Sequence, residues 1–121
     1  MTLKLASAGA MLAAIAVILG AFGAHLLKSK IGAESLAVWE TGNRYHFYHS
    51  LAIIAIAALP VDGYKLQLPV ILLIAGIVLF SGSLYLLALN WLPKPGGIIT
   101  PIGGLFFIAG WLFLSFQLLK K

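Results

Sequence analysis

The chain contains no cysteine and little charge. The lack of cysteine excludes disulfide bonds, thiolate metal ligands and cysteine nucleophiles. Only 9% of the 121 residues are charged and 62% are hydrophobic, whereas about a quarter of the residues of a soluble domain are charged. A soluble fold of this size would have too few polar side chains to cover its surface. The composition therefore indicates a single domain, residues 1–121, that faces lipid.

Charge is missing altogether from four long stretches, residues 5–27, 45–61, 66–93 and 95–119. About 20 helical residues span the hydrocarbon core of a bilayer, and the second stretch reaches that length by extending back through Arg44. Lipid offers no water to backbone polar groups, so such stretches form helices. We therefore expect an all-α integral membrane protein, an antiparallel bundle of four transmembrane helices at about 5–27, 44–60, 67–90 and 97–119.

The connections between these helices are predicted from polar residues, glycine and proline. Residues 28–43 are expected to form a polar connector, in which residues 34–40 have the pattern of an amphipathic helix at the membrane surface. Pro60 predicts the end of the second helix, and Asp62-Gly63 predicts a turn. Short connections make neighbouring helices antiparallel. Both chain termini are therefore expected on one side of the membrane.

The basic residues lie at the ends of the apolar stretches, although the net charge is +5. This distribution is typical of helix ends at a bilayer and does not suggest a nucleic-acid partner. Basic side chains are equally numerous at the two predicted ends, so the positive-inside rule does not choose between them. The free amino group adds charge to its own side, and Glu40 is spaced to pair with Arg44 on the other. We therefore expect cytoplasmic termini.

Residues 1–24 have two interpretations. Lys4, an apolar run and the small residues Ala21 and Gly23 resemble a signal peptide. The apolar run is long for such a peptide, and small residues recur throughout it, so a retained helix is favoured. Small residues four apart, Ala6–Ala10–Ala14 and Ala16–Gly20–Ala24, predict close packing within the bundle, with dimerisation as the alternative.

Polar side chains are predicted to collect at the end of the bundle opposite the termini. Along the second helix, helical spacing places six residues on one stripe: Trp39, Gly42, His46, His49, Ser50 and Ile53. Ionisable residues in membrane helices usually face the protein interior or a water-filled cavity. The candidate cluster comprises nine residues: His25, Arg44, Tyr45, His46, His49, Ser81, Ser83, Tyr85 and Thr100.

Three functions remain open for this cluster. It can join helices by hydrogen bonds in a structural or accessory protein that binds another membrane component. It can bind a small ligand, such as a lipid, a quinone, or a haem or metal held by His25 with His46 or His49. It can line a path for a proton or small solute in an oligomer. No catalytic set is visible, so we expect no enzyme activity, no cofactor and no dedicated metal site. The expected partners are membrane lipids, with other membrane proteins or further copies of the chain.

Four motifs resemble the YgdD/YwdK family of small bacterial inner-membrane proteins, a domain of unknown function with eukaryotic relatives. They are Gly20-Ala-Phe-Gly-Ala-His25, Trp39 to His49 with Gly42-x-Arg44-Tyr-His46 inside it, Phe80-Ser-Gly-Ser-Leu-Tyr85 and Thr100-Pro-Ile-Gly-Gly104. The resemblance covers nearly the whole chain. It implies a retained first helix, four helices and a bacterial plasma membrane location. It supplies no catalytic residues and marks the nine cluster residues as a signature.

Overall fold

Four long helices make up most of the chain in the computed structural model, which describes residues 2–120. They are α1 Leu3–Leu27, α2 Ala33–Ala57, α3 Gly63–Ala88 and α4 Ile99–Leu119. A 3₁₀ turn, Lys94–Ile98, leads into α4. The predicted domain limits, Met1 and Lys121, lie outside the described residues. The chain is thus helical, as the composition predicts.

Three helical stretches within the described residues are long and apolar enough to cross a membrane: Leu3–Leu27, Gly63–Ala88 and Gly96–Leu119. The helix α2 is also long, with 25 residues, but it carries Glu34, Glu40 and Arg44. The observed architecture is therefore a four-helix membrane protein in which one helix is markedly more polar than the others.

The helix α2 differs most from its prediction. It begins at Ala33, so residues 33–43 belong to it, and the expected surface connector is reduced to a short turn. The physical reason is that buried residues recur at helical spacing without interruption from Trp39 through Gly42 to His46 and beyond. No proline in this segment ends the helix. All six stripe residues are buried. The helix ends at Ala57, before Pro60.

The helix α3 starts earlier than expected, at Gly63, and Asp62 occupies the position that precedes it. Pro69, expected in the first turn, consequently lies inside α3. The carboxyl end follows the expected position closely. Asn90 adopts a left-handed conformation with φ of 60°. Its N–H donates to the Leu87 carbonyl, and the N–H of Trp91 donates to the Leu86 carbonyl. This Schellman arrangement satisfies the last carbonyls and ends the helix.

The helices α1 and α2 pack in opposite directions through small residues of α1. Gly9 lies against Ser50 and Ile53, whereas Gly20 lies against Asn43. Ala16, between these two glycines, is buried. The second predicted line of small residues therefore packs inside the protein, since its members Ala16 and Gly20 face α2. On the first line, Ala10 and Ala14 are exposed.

The helices α3 and α4 also pack in opposite directions. Gly76 lies against Phe107, Gly103 against the backbone of Phe80, and Gly110 against Leu73. Their contact forms most of a hydrophobic core, completed by α2, that contains eight buried residues: Ile53, Ile56, Leu66, Val70, Leu73, Ile77, Phe107 and Leu114. Both α1 and α3 contain a short π-helical segment, Ile18–Gly23 and Ile77–Ser81. These segments place altered backbone geometry beside the polar side chains of α2.

Candidate functional site

Two side chains of α2 hydrogen-bond to the backbone of α1. The indole N–H of Trp39 donates to the carbonyl of Leu19 at 2.9 Å, and the amide of Asn43 donates to the carbonyl of Ala16 at 2.7 Å. Leu19 lies in the π-helical segment, where the regular ladder of backbone hydrogen bonds is interrupted. Gly20 provides the space for Asn43, because a Cβ there would collide with its side chain. These bonds hold α1 against α2.

His46 and Tyr85 form the centre of the cluster. Nδ1 of His46 lies 2.9 Å from the Tyr85 hydroxyl, which also accepts a hydrogen bond from the Asn43 amide at 3.1 Å. The hydroxyl is then free to donate to Nδ1, which places the ring proton of His46 on Nε2. Nε2 is buried and has no hydrogen-bond partner among residues 2–120. Through Nδ1, His46 therefore joins α2 to α3.

His49 uses both of its ring nitrogens. Nε2 accepts a hydrogen bond from the indole N–H of Trp111 at 3.1 Å, so Nε2 carries no proton and the ring is neutral. Nδ1 then donates to the carbonyl of Tyr45, 2.8 Å away. The ring also stacks on Phe107, with centroids 3.7 Å apart. His49 thus links α2 to α4, and neither nitrogen is available to a metal in this arrangement.

The two serines and the threonine of the predicted cluster divide into a pair and a single residue. Ser83 donates to the carbonyl of Phe80 at 2.9 Å, so its contact of 2.6 Å with the Thr100 hydroxyl is donated by Thr100. This pair joins α3 to the start of α4. Ser81 is fully buried, and its hydroxyl has no partner within the described part of the chain.

Two predicted residues do not join the cluster. His25 is exposed on α1. It follows Gly23, which packs on Trp39, and Trp39 lies about two helical turns, roughly 10 Å, from His46. Arg44 is also exposed, on the face of α2 opposite the buried stripe. The structure therefore does not bring His25 together with the other histidines. Within residues 2–120 no group of three or more potential His, Cys, Asp or Glu ligands is found.

Three important residues were not among the nine predicted. Asn43 precedes His46 by three residues, so helical spacing shows that the two share a face. The sequence places Trp39 on the buried stripe and in one of the four motifs, and its aromatic ring suggests an interfacial anchor, but nothing in the sequence shows its bond to α1. Trp111 carries no such signal, because the sequence does not show that α4 places it against His49.

An aromatic groove of about 490 Å³ opens beside His49. Five rings from three helices line it, Tyr45, His49, Phe80, Phe107 and Trp111, together with Gly104 and Ile108. The rings of Tyr45 and Phe80 lie 4.7 Å apart. Tyr45 is 41% exposed and Trp111 43% exposed. Since the polar atoms of His49 and Trp111 are bonded to each other, the groove offers mainly ring faces and suits an apolar ligand.

Comparisons with known proteins identify relatives along most of the chain. A family model described as a protein of unknown function (DUF423) matches residues 19–104, a range that includes all nine predicted site residues. A UPF0382 membrane protein of Staphylococcus saprophyticus is 48% identical over 107 residues, 88% of each chain. The UPF0382 membrane protein YwdK of Bacillus subtilis is 44% identical and covers 93% of each chain. The UPF0382 inner membrane protein YgdD of Escherichia coli is 41% identical, over 83% of this chain and 77% of its own. No solved structure matches.

Proposed function

The chain belongs to the DUF423 family, whose matching relatives are named membrane proteins, and we propose that it is an accessory protein that binds another membrane component. It acts in the bacterial plasma membrane in this proposal, since the Escherichia coli relative is named an inner membrane protein. In this proposal it is not an enzyme and uses no cofactor, because most of its buried polar side chains are hydrogen-bonded within the protein. Its partners are membrane lipids, with other membrane proteins or further copies of the chain beside them.

The proposal includes four membrane crossings and cytoplasmic termini. The 25 residues of α2 correspond to about 38 Å, enough to cross the hydrocarbon core. Its polar stripe is buried against the other three helices, so these side chains do not meet lipid. Its charged residues Glu34, Glu40 and Arg44 all lie in its first half, where long side chains reach the interface. These features support a fourth crossing despite the low apolarity of α2.

The observation that carries the binding function is the aromatic groove. Its volume of about 490 Å³ lies within the range of small-molecule sites, whereas a transmembrane helix is about 10–12 Å wide and would not enter it. The ring faces that line the groove suit hydrocarbon. The His49 ring is neutral and hydrogen-bonded to Trp111, so it offers no charge that would select a polar ligand. The proposed occupant is therefore the hydrocarbon part of a membrane lipid.

The test uses Gly104, which lines the groove and has room for a side chain, since a Cβ there would meet only the Phe80 ring, at 3.8 Å. We expect native mass spectrometry of the protein from mild detergent to show a bound lipid that the Gly104→Leu variant loses. Gly82→Leu is the matched control, because Gly82 is also helical and unobstructed but lines a different groove of about 490 Å³, so a lipid lost only in Gly104→Leu belongs to the aromatic groove. An unchanged number of bound lipids in Gly104→Leu, or a wild-type protein free of lipid, would contradict the proposal.

A second candidate function is small-ligand or proton binding at the centre of the cluster. The buried, unpaired Nε2 of His46 and hydroxyl of Ser81 favour it. A visible absorption band, or a bound quinone, that disappears in the His46→Ala/His49→Ala double variant would support this function. A colourless, ligand-free protein whose thermal stability survives the double substitution would count against it.

A further inference from the structure

A second groove lies where the amino-terminal ends of α1 and α3 approach each other. Its volume is about 570 Å³, and six residues line it: Thr2, Leu3, Lys4, Leu5, Gln67 and Ile71. We refer to it as the amino-terminal groove. Thr2 contacts Gly63, and its backbone N–H donates to the carbonyl of Ala57 at 3.2 Å. The groove is therefore at the end of the molecule where α1 and α3 begin and α2 ends.

The inner part of this groove is hydrocarbon. Leu3 and Ile71 are 74% and 57% exposed, so they present apolar surface that no described residue covers. Leu5 extends this surface inward, where it packs against the hydrophobic core. An acyl chain lying along α1 and α3 would bury these three side chains.

The outer part of the groove is polar and favours an anion. Lys4 is the second residue of α1, and Gln67 lies in the second turn of α3, so both are near the level of lipid headgroups. The first N–H groups of a helix have no acceptor within it and carry partial positive charge. The side chain of Thr2 makes no cap bond to those of α1, and its hydroxyl is buried without a partner in residues 2–120.

The charges at this end are predominantly positive. Three lysines and one aspartate lie near the ends of α1, α3 and α4 on this side of the bundle: Lys4, Lys65, Lys120 and Asp62. Of these four, Lys4 lines the groove. Basic sites between membrane helices attract anionic headgroups. A zwitterionic lipid would bring a quaternary ammonium group close to Lys4, which like-charge repulsion disfavours.

We propose that the amino-terminal groove binds one anionic glycerophospholipid. Its phosphate lies beside Lys4 at the start of α1, and one acyl chain lies against Leu3, Leu5 and Ile71. The site shares no residue with the aromatic groove. The aromatic groove is lined by no lysine or arginine, so it should not select lipids by charge. Each site can therefore be tested separately, and one can fail without the other.

The test compares two lipids with identical acyl chains, phosphatidylglycerol and phosphatidylcholine. Each is added to the delipidated full-length protein in mild detergent, and the bound fraction is measured by native mass spectrometry. We expect the wild-type protein to retain phosphatidylglycerol preferentially. Equal retention of the two lipids would overturn the proposal.

The selectivity should depend on Lys4. Lys4→Gln is expected to weaken phosphatidylglycerol binding about fivefold, the effect of removing one basic residue from an anionic lipid surface, and to leave phosphatidylcholine binding unchanged. Lys28→Gln, after the opposite end of α1, is the matched control and should bind as the wild type does. Ile71→Trp, which fills the acyl part, should reduce retention of both lipids. Wild-type binding by both the Lys4 and Ile71 variants would show that the groove is not the site.

Discussion

His49 shows how a membrane helix accommodates a polar side chain. Its two ring nitrogens are paired with the indole N–H of Trp111 and the carbonyl of Tyr45, and its ring face is covered by Phe107. In hydrocarbon an unpaired polar group costs several kcal/mol, so a fully paired imidazole is compatible with burial. This residue therefore stabilises the contact between α2 and α4.

Replacement of Trp111 by phenylalanine tests this account. The variant keeps an aromatic ring but removes the donor to His49 Nε2, so we expect a loss of about 1 kcal/mol of stability, the scale of hydrogen bonds between membrane helices. The measurement is the midpoint of thermal unfolding in mild detergent. Trp91→Phe, in the exposed loop before α4, is the control. Equal midpoints for the two variants would show that the bond contributes nothing.

Part of the hydrogen-bond network around His46 and His49 was predictable from the sequence. His46 and His49 lie on the buried stripe because helical spacing alone places them there, and Tyr85 was assigned to the same end of the bundle. The bond to Trp111 was not predictable, because it depends on the register between α2 and α4. The exposure of His25 was predictable only in part. His25 lies one residue, about 100° around the helix, from the packed line Ala16–Gly20–Ala24, and spacing alone does not show how wide the packed face is.

At the scale of the elements, glycines set how closely α3 and α4 approach. A Cβ at Gly103 would lie 2.7 Å from the backbone carbonyl carbon of Leu79 and would collide with the backbone of Phe80. Backbone atoms cannot rotate away as a flexible side chain can. Any side chain at Gly103 must therefore separate the two helices.

We expect Gly103→Ala to destabilise the protein by about 1–3 kcal/mol, the usual cost of overpacking. Gly82→Ala is its matched control. A Cβ at Gly82 meets nothing within 4 Å, and alanine is favoured over glycine in a helix interior, so this variant should be at least as stable as the wild type. Thermal unfolding in detergent distinguishes the two. If Gly103→Ala is as stable as Gly82→Ala, the close contact does not exist.

The continuity of α2 is a second property of an element, and proline tests it. Ala37→Pro removes a hydrogen bond within the helix and places a ring against the preceding turn, at a cost of about 3 kcal/mol. Ala33→Pro should cost little, because Ala33 is the first helical residue and proline is tolerated there. The preceding Gly32 is already extended, with ψ of 164°, as a residue before proline prefers.

Circular dichroism and thermal unfolding of both proline variants provide the measurement. A clear loss of helicity and stability only in Ala37→Pro supports one helix over Ala33–Ala57. Similar behaviour of the two variants would instead favour a loose connector before residue 44.

At the scale of the whole molecule, the property to test is the number of times the chain crosses the membrane. The start of α1, the end of α2 and the start of α3 meet around Thr2, Ala57 and Gly63. If all four helices cross, both termini lie on one side of the membrane. Reporter tags fused to the amino and carboxyl ends should then both be active in the cytoplasm. Tags that report opposite sides would show three crossings and place α2 at the surface.

The sequence by itself determined the class of the protein and the inward face of α2. Long apolar stretches separate the charged residues, and such stretches form helices in lipid. Backbone polar groups there find partners only within a helix or a closed barrel. The stripe from Trp39 to Ile53 follows from the helical period, which does not depend on neighbouring elements. The tertiary structure decided which polar groups pair, such as His49 with Trp111 and Ser83 with Thr100, and where grooves open. Those contacts join residues far apart in the chain, so they depend on helix register and approach, which local spacing does not encode.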